Sequence, residues 1–122
     1  MKDNVQAKFQ VINTSSDNVQ GKLLFALTKS PSIVKMSDAV GDTFTVAEWC
    51  VYADADKKDP EKTNTILSVL DTNGVIRATN SNTFTDMFLD ITSIMGNSGF
   101  DIKVISGKSK AGRDFITCDM PL

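Results

Sequence analysis

From Thr43 onward the apolar positions fall into regular spacings, and those spacings predict most of the secondary structure. Thr43 to Tyr52 (T-F-T-V-A-E-W-C-V-Y) is rich in β-branched and aromatic residues, which suit a pleated, half-buried surface, and predicts a long strand. Asp54 to Lys62 is a charged loop that contains Pro60. Thr63 to Leu70 predicts a second strand, Asp71-Thr72-Asn73-Gly74 a hairpin turn through its Asn-Gly pair, and Val75 to Thr79 a third strand. The period then changes. Phe84, Met87, Phe88, Ile91, Ile94 and Met95 recur at helical spacing and predict one amphipathic helix of about three turns. Ser81, Asn82 and Thr83 are candidate N-caps, Thr83 with Asp86 has capping-box spacing, and Gly96 or Gly99 supplies the stop. Asp101 to Ser106 and Arg113 to Cys118 predict two last strands around a glycine-bounded basic loop, Gly107 to Gly112.

The first 40 residues are less regular. Lys8 to Asn13 predicts a short strand, and Thr14 to Asn18 a polar turn. Lys22 to Lys29 (K-L-L-F-A-L-T-K) is an apolar run whose period does not separate helix from strand. No repeat, low-complexity tract or linker interrupts the chain, so a single domain over residues 1–122 is expected, with 1–40 as an irregular segment and 41–122 as its core. Three meandering strands, a helix and a hairpin make a mainly β fold. Their order is that of an OB-fold-like five-stranded Greek-key barrel with a helix between strands three and four. An α+β sandwich with the helix on one sheet face uses the same elements.

Composition narrows the chemistry. The chain has no histidine, which removes the commonest general base and the commonest zinc ligand. With no Gly-x-Ser-x-Gly elbow and no activating base apparent for Cys50 or Cys118, a noncatalytic protein is expected, without cofactor or metal. The acidic loop Asp54-x-Asp56-x-x-Asp59 lacks the alternating ligands and the glycine of a calcium loop. Both cysteines sit in apolar runs and read as buried free thiols, which fits a cytoplasmic setting. No segment reaches the roughly 20 apolar residues of a membrane span. No membrane role is expected.

The formal charge is -2, yet the final hairpin is basic. From Asp101 to Cys118 the cations are Lys103, Lys108, Lys110 and Arg113, against Asp101 and Asp114. In an oligonucleotide-binding barrel the loop between the last two strands borders the nucleic-acid groove, as does the loop between the first two, here with Lys57 and Lys58. A solvated hairpin tip is the alternative. G-K-S-K-A-G-R lacks the first glycine of a P-loop and precedes a strand. Trp49, Tyr52 and Phe115 lie on predicted strands and are candidate stacking platforms, with core packing as the other role for each. On the first strand Phe44, Val46, Cys50 and Tyr52 share one parity, and Ala47, Trp49 and Val51 the other. Both faces are therefore apolar, and one must be exposed or covered by the N-terminal segment. On the last strand Ile116 and Cys118 read as core, leaving Arg113 and Phe115 outward.

The strings R-A-T-N-S-N-T-F-T-D-M-F (Arg77 to Phe88) and I-S-G-K-S-K-A-G-R-D-F-I-T-C (Ile105 to Cys118) resemble small single-stranded DNA-binding proteins of tailed phages and related mobile elements. Gly41 to Tyr52 extends the resemblance more loosely, to about the last two-thirds of the chain. The resemblance implies an oligonucleotide-binding barrel that coats single strands during replication or recombination in a bacterial host. Its groove would hold Lys108, Lys110, Arg113 and Phe115, with Arg77 in the first matching string. Single-stranded DNA is the expected partner, RNA the other candidate, with self-association and replication proteins as further partners. The rival reading is a protein-interaction or inhibitor module of phage origin, docking through Leu23 to Leu27 and the acidic loop.

Overall fold

The computed structural model describes residues 9–122. Its elements are β1 (Gln10–Thr14), α1 (Gly21–Thr28), β2 (Val34–Lys35), a 3-10 turn (Met36–Ala39), β3 (Thr43–Ala55), β4 (Thr63–Asp71), β5 (Ile76–Thr79), α2 (Asn82–Met95), β6 (Asp101–Lys108) and β7 (Asp114–Asp119). The protein is mainly β, a curled open sheet that forms a half-barrel with two α-helices. The strands run β2-β5-β4-β3-β6-β7, with β1 added on β3. That is seven strands among the described residues, not the five expected, because the N-terminal segment contributes two. All pairings are antiparallel except β2 on β5. The expected strand over 8–13 is β1, with Lys8 outside the described residues.

The ambiguous run at 22–29 is a helix, α1, and its burial explains the double-faced β3. Between Val46 and Glu48 the register of β3 against β4 slips, leaving Ala47 as an extra residue. A bulge of one residue exchanges the two faces beyond it. Phe44 and Val46 before the bulge therefore share a core with Trp49 and Val51 after it. Phe84, Phe88 and Ile91 of α2, together with Ile102, Val104 and Cys118, complete this main core. Trp49 meets Phe88 edge to face, with ring centroids 5.5 Å apart. Cys50 and Tyr52 point the other way, into a second core with Val19 and Leu27 of the N-terminal segment. Each fully buried apolar side chain stabilises the fold by about 1.5–3 kcal/mol.

Both tight hairpins use one turn design. Gly74 N–H donates to Asp71 O at 3.0 Å, and Gly112 N–H donates to Ser109 O at 2.9 Å. The glycine that follows each turn has a positive φ, 87° at Gly74 and 80° at Gly112. This is a three-residue loop whose glycine takes the left-handed position, and it starts β5 at Ile76, one residue later than the Asn-Gly reading. Ser81 caps α2, its Oγ accepting from Phe84 N–H at 3.1 Å, and Gly96 at φ 91° ends it. Thr83 and Asp86 lie inside the helix, so they form no capping box.

The thiols make a direct check on this packing. Burial pushes Cys50 and Cys118 up to about 12, with the Asp119 charge adding to the effect at Cys118. Neither is expected to react with Ellman's reagent at neutral pH until denaturant is added. Rapid labelling of the folded protein would contradict the packing.

Candidate functional site

Two hollows hold half of the expected site residues, Arg113, Phe115, Tyr52, Lys57 and Lys58. The first is a slot at the β6–β7 hairpin, lined by Thr83, Ser109, Ala111, Arg113, Asp114 and Phe115. Gly107 and Phe115 are directly opposite across the two strands. A Cβ built on Gly107 would meet Phe115 Cζ at 2.7 Å and both Cε atoms at 3.2 Å. Only glycine leaves room for the ring to lie there, over bare backbone. Phe115 is half-buried, and its ring forms part of the slot. Arg113 and Lys110 are exposed at the hairpin end, where Ser109 Oγ accepts from Arg113 N–H at 3.2 Å. Lys108 pairs with Asp114 at 2.7 Å, both side chains largely in solvent. Such a pair contributes little stability, at most about 1 kcal/mol, and leaves Lys108 available to another anion.

Ile116 and Cys118 face the core and Phe115 the opposite side, as the strand parity indicates. Lys103 shares the Phe115 face, since Lys103 and Gly107 have the same parity on β6. Four residues separate them, roughly 13 Å along the strand. Lys103 is thus a neighbour of the slot and does not line it.

The second hollow is a wide groove that reaches from Lys35 of β2 to Asp114, Phe115 and Ile116 of β7 and is also lined by Tyr52 and Asp54 of β3, Asn64 and Ile66 of β4 and Ala78 of β5. Half-buried Ile33, Ile66, Ala78 and Ile116 give it apolar surface. Lys29, Lys35, Lys57 and Lys58 bring positive charge, and Asp54, Asp56 and Asp114 negative charge. Lys29 is committed to Asp54 at 2.5 Å and to the Phe9 ring at 4.4 Å. Burial works to raise the Asp54 pKa, but the Lys29 bond, the Ala55 N–H and the Lys29 and Lys57 charges hold it below the usual value. Asp56 spends its carboxylate on the loop, accepting from Lys58 N–H at 2.7 Å, Asp59 N–H at 3.3 Å and Asn64 Nδ2 at 3.2 Å. Those bonds, led by the Lys58 N–H, and the Lys62 charge lower its pKa. Phe115 and Asp114 line both hollows, which makes slot and groove continuous.

Three expected site residues are engaged in holding the fold. Trp49 is 2% exposed, and its Nε1 donates to Asn97 O at 2.8 Å. Tyr52 borders the second hollow but is 4% exposed, with its hydroxyl donating to Thr28 O at 3.3 Å. Neither ring has a face on which a base could stack. Arg77 is a structural cation: it pairs with buried Asp71 at 2.6 Å and lies over the Phe44 ring at 4.1 Å. Conversely, Lys29 and Lys35 border the groove without having been singled out in sequence, because a two-residue parallel pairing brings β2 beside β5. The rival docking run Leu23 to Leu27 is largely spent on the fold. Leu27 is fully buried and Leu23 and Leu24 pack on the second core, leaving Phe25 exposed.

No helix among the described residues is long and apolar enough to cross a membrane. Comparison of the chain with protein-family models, curated proteins and solved structures finds no match.

Proposed function

We propose that the protein is a noncatalytic single-stranded DNA-binding protein on an open variant of the oligonucleotide-binding barrel, coating strands in phage or mobile-element replication and recombination. The connectivity supports the fold assignment. After the β3-β4-β5 meander and α2, β6 returns beside Thr43–Thr45 of β3. The order β6-β3-β4-β5, in which a fourth strand returns beside the first, supports a Greek-key reading. The outer edge of β5 is taken by β2, so among the described residues β5 and β7 do not pair and the barrel stays open.

One observation carries the functional reading. The Phe115 ring lies on Gly107 in a slot bordered by Arg113, with Lys108 and Lys110 on the same hairpin. An aromatic plate beside exposed cations suits a base and its phosphates, whatever the sequence. RNA offers the same groups, and the choice between the two is for competition binding to decide. Phe115→Ala is expected to weaken oligo-dT binding about 5- to 150-fold, the equivalent of roughly 1–3 kcal/mol for one stack. Fluorescence anisotropy of a dye-labelled oligonucleotide reads the change. Unchanged affinity would remove Phe115 from the site, and failure of the unsubstituted protein to bind at low salt would overturn the function.

A further inference from the structure

An oligonucleotide-binding barrel offers its ligand the face of strands two and three together with the two loops at its rim. In this protein that arrangement is altered by the N-terminal segment. The outward side of β3, β4 and β5 carries Cys50, Tyr52, Ile66, Leu70 and Ile76, which pack in the second core with α1, and of these Tyr52 and Ile66 also reach the groove. Leu27 of α1 is completely buried there. No nucleic acid can lie on the covered part, at Cys50, Leu70 and Ile76, while α1 is in place.

The seam between β2 and β7 is open instead. It joins the hairpin slot at Phe115 and Asp114 and reaches the β3–β4 loop at Lys57 and Lys58. Lys35, on the edge strand β2, lies along the same groove. Lys35, Lys57 and Lys58 are exposed and make no ion pair with another described residue, so their charge is available. The opposite wall is the outer edge of β7. There the Ile116 carbonyl accepts from Ser81 Oγ at 3.4 Å, so the main-chain groups of Ile116 point away from β6 and toward the seam. An edge of this kind offers main-chain donors and acceptors that unpaired bases can meet and that a duplex, with its pairing edges occupied, cannot.

We infer that the single strand follows this seam, from the Phe115 slot past Ile116 to Lys35, Lys57 and Lys58, and does not cross the part of the β3–β4–β5 face that α1 covers. The inference rests on the single-strand reading above and assigns its path. The test compares two charge-reversal variants of the full chain by anisotropy with dye-labelled oligo-dT over a salt series. One is Lys35→Glu/Lys57→Glu/Lys58→Glu; the other is Lys22→Glu, exposed on α1. Circular dichroism and thermal melts establish that both fold. The seam variant is expected to bind at least about tenfold more weakly, with a salt slope lower by about 2, while Lys22→Glu stays within about twofold. An unaffected seam variant, or an equal loss in Lys22→Glu, overturns the path while leaving the single-strand reading intact. Failure of the unsubstituted protein to bind oligo-dT overturns both.

Discussion

Replacing Asp71 with alanine is expected to lower the unfolding free energy by about 3–5 kcal/mol, because it strands a partly buried guanidinium. Asp71 is 3% exposed and organises the whole β4–β5 turn. Its Oδ1 accepts from Asn73 N–H at 2.8 Å and Val75 N–H at 3.0 Å, and its Oδ2 accepts from Arg77 Nη1 at 2.6 Å. Without the carboxylate, Arg77 keeps only its seat over Phe44. Urea denaturation measures the loss, and Asp71→Asn, which keeps the Oδ1 acceptor, should lose less. A change below about 1 kcal/mol would mean that main-chain bonds alone hold the turn.

The same carboxylate gives the protein an acid limit. Burial works to raise its pKa, but the Arg77 bond, the Val75 and Asn73 N–H groups and the Arg77 charge outweigh burial and hold it below the ordinary value. A group with a folded pKa below its unfolded value of about 3.9 stabilises the fold above that pH. Its contribution is lost as pH falls through the lower, folded value. Stability is therefore expected to drop below about pH 4, and more steeply in the unsubstituted protein than in Asp71→Ala.

Replacing Lys108, Lys110 and Arg113 together with alanine is expected to weaken oligo-dT binding at least about tenfold and to flatten its salt dependence. Each phosphate contact on a single strand contributes about 0.7 to the slope of log K against log salt, so three contacts account for about 2. All three residues are exposed, and among the described residues their one ion pair is the surface pair Lys108–Asp114. Stability should therefore change by no more than about 0.5 kcal/mol per site, so a loss of binding cannot be ascribed to unfolding. An unchanged slope would move the phosphate contacts off this hairpin.

Much of this was legible in sequence from Thr43 onward, where local patterns decide the elements. The α2 helix with its buried Phe84, Phe88 and Ile91, both hairpins and the inward turn of Ile116 and Cys118 follow from spacing and turn chemistry alone, whereas Met87, Ile94 and Met95 of the expected stripe are exposed. What could not be read is non-local. The bulge at Ala47 inserts one residue and moves Phe44 and Val46 to the side of Trp49 and Val51, and no residue type announces it. Eight residues of α1 are too few for their period to declare a helix, and only the apolar back of β3 requires something to cover it. Trp49 and Tyr52 were candidates for stacking because aromatic residues suit both a groove and a core. The bulge and the covering helix send one into each core instead. Lys35 reached the groove through a parallel pairing of two residues, for which the sequence has no signal.

Trp49 is sealed in the core, so its emission is a poor reporter of binding, and the nucleic acid must carry the label. The most direct measurement is an anisotropy titration of dye-labelled oligo-dT and of a duplex of equal length, each at low and at near-physiological salt. Preference for the single strand, with affinity falling steeply as salt rises, is the expected result. No binding to oligo-dT at low salt, or equal or tighter binding to the duplex, would contradict single-strand recognition by this protein.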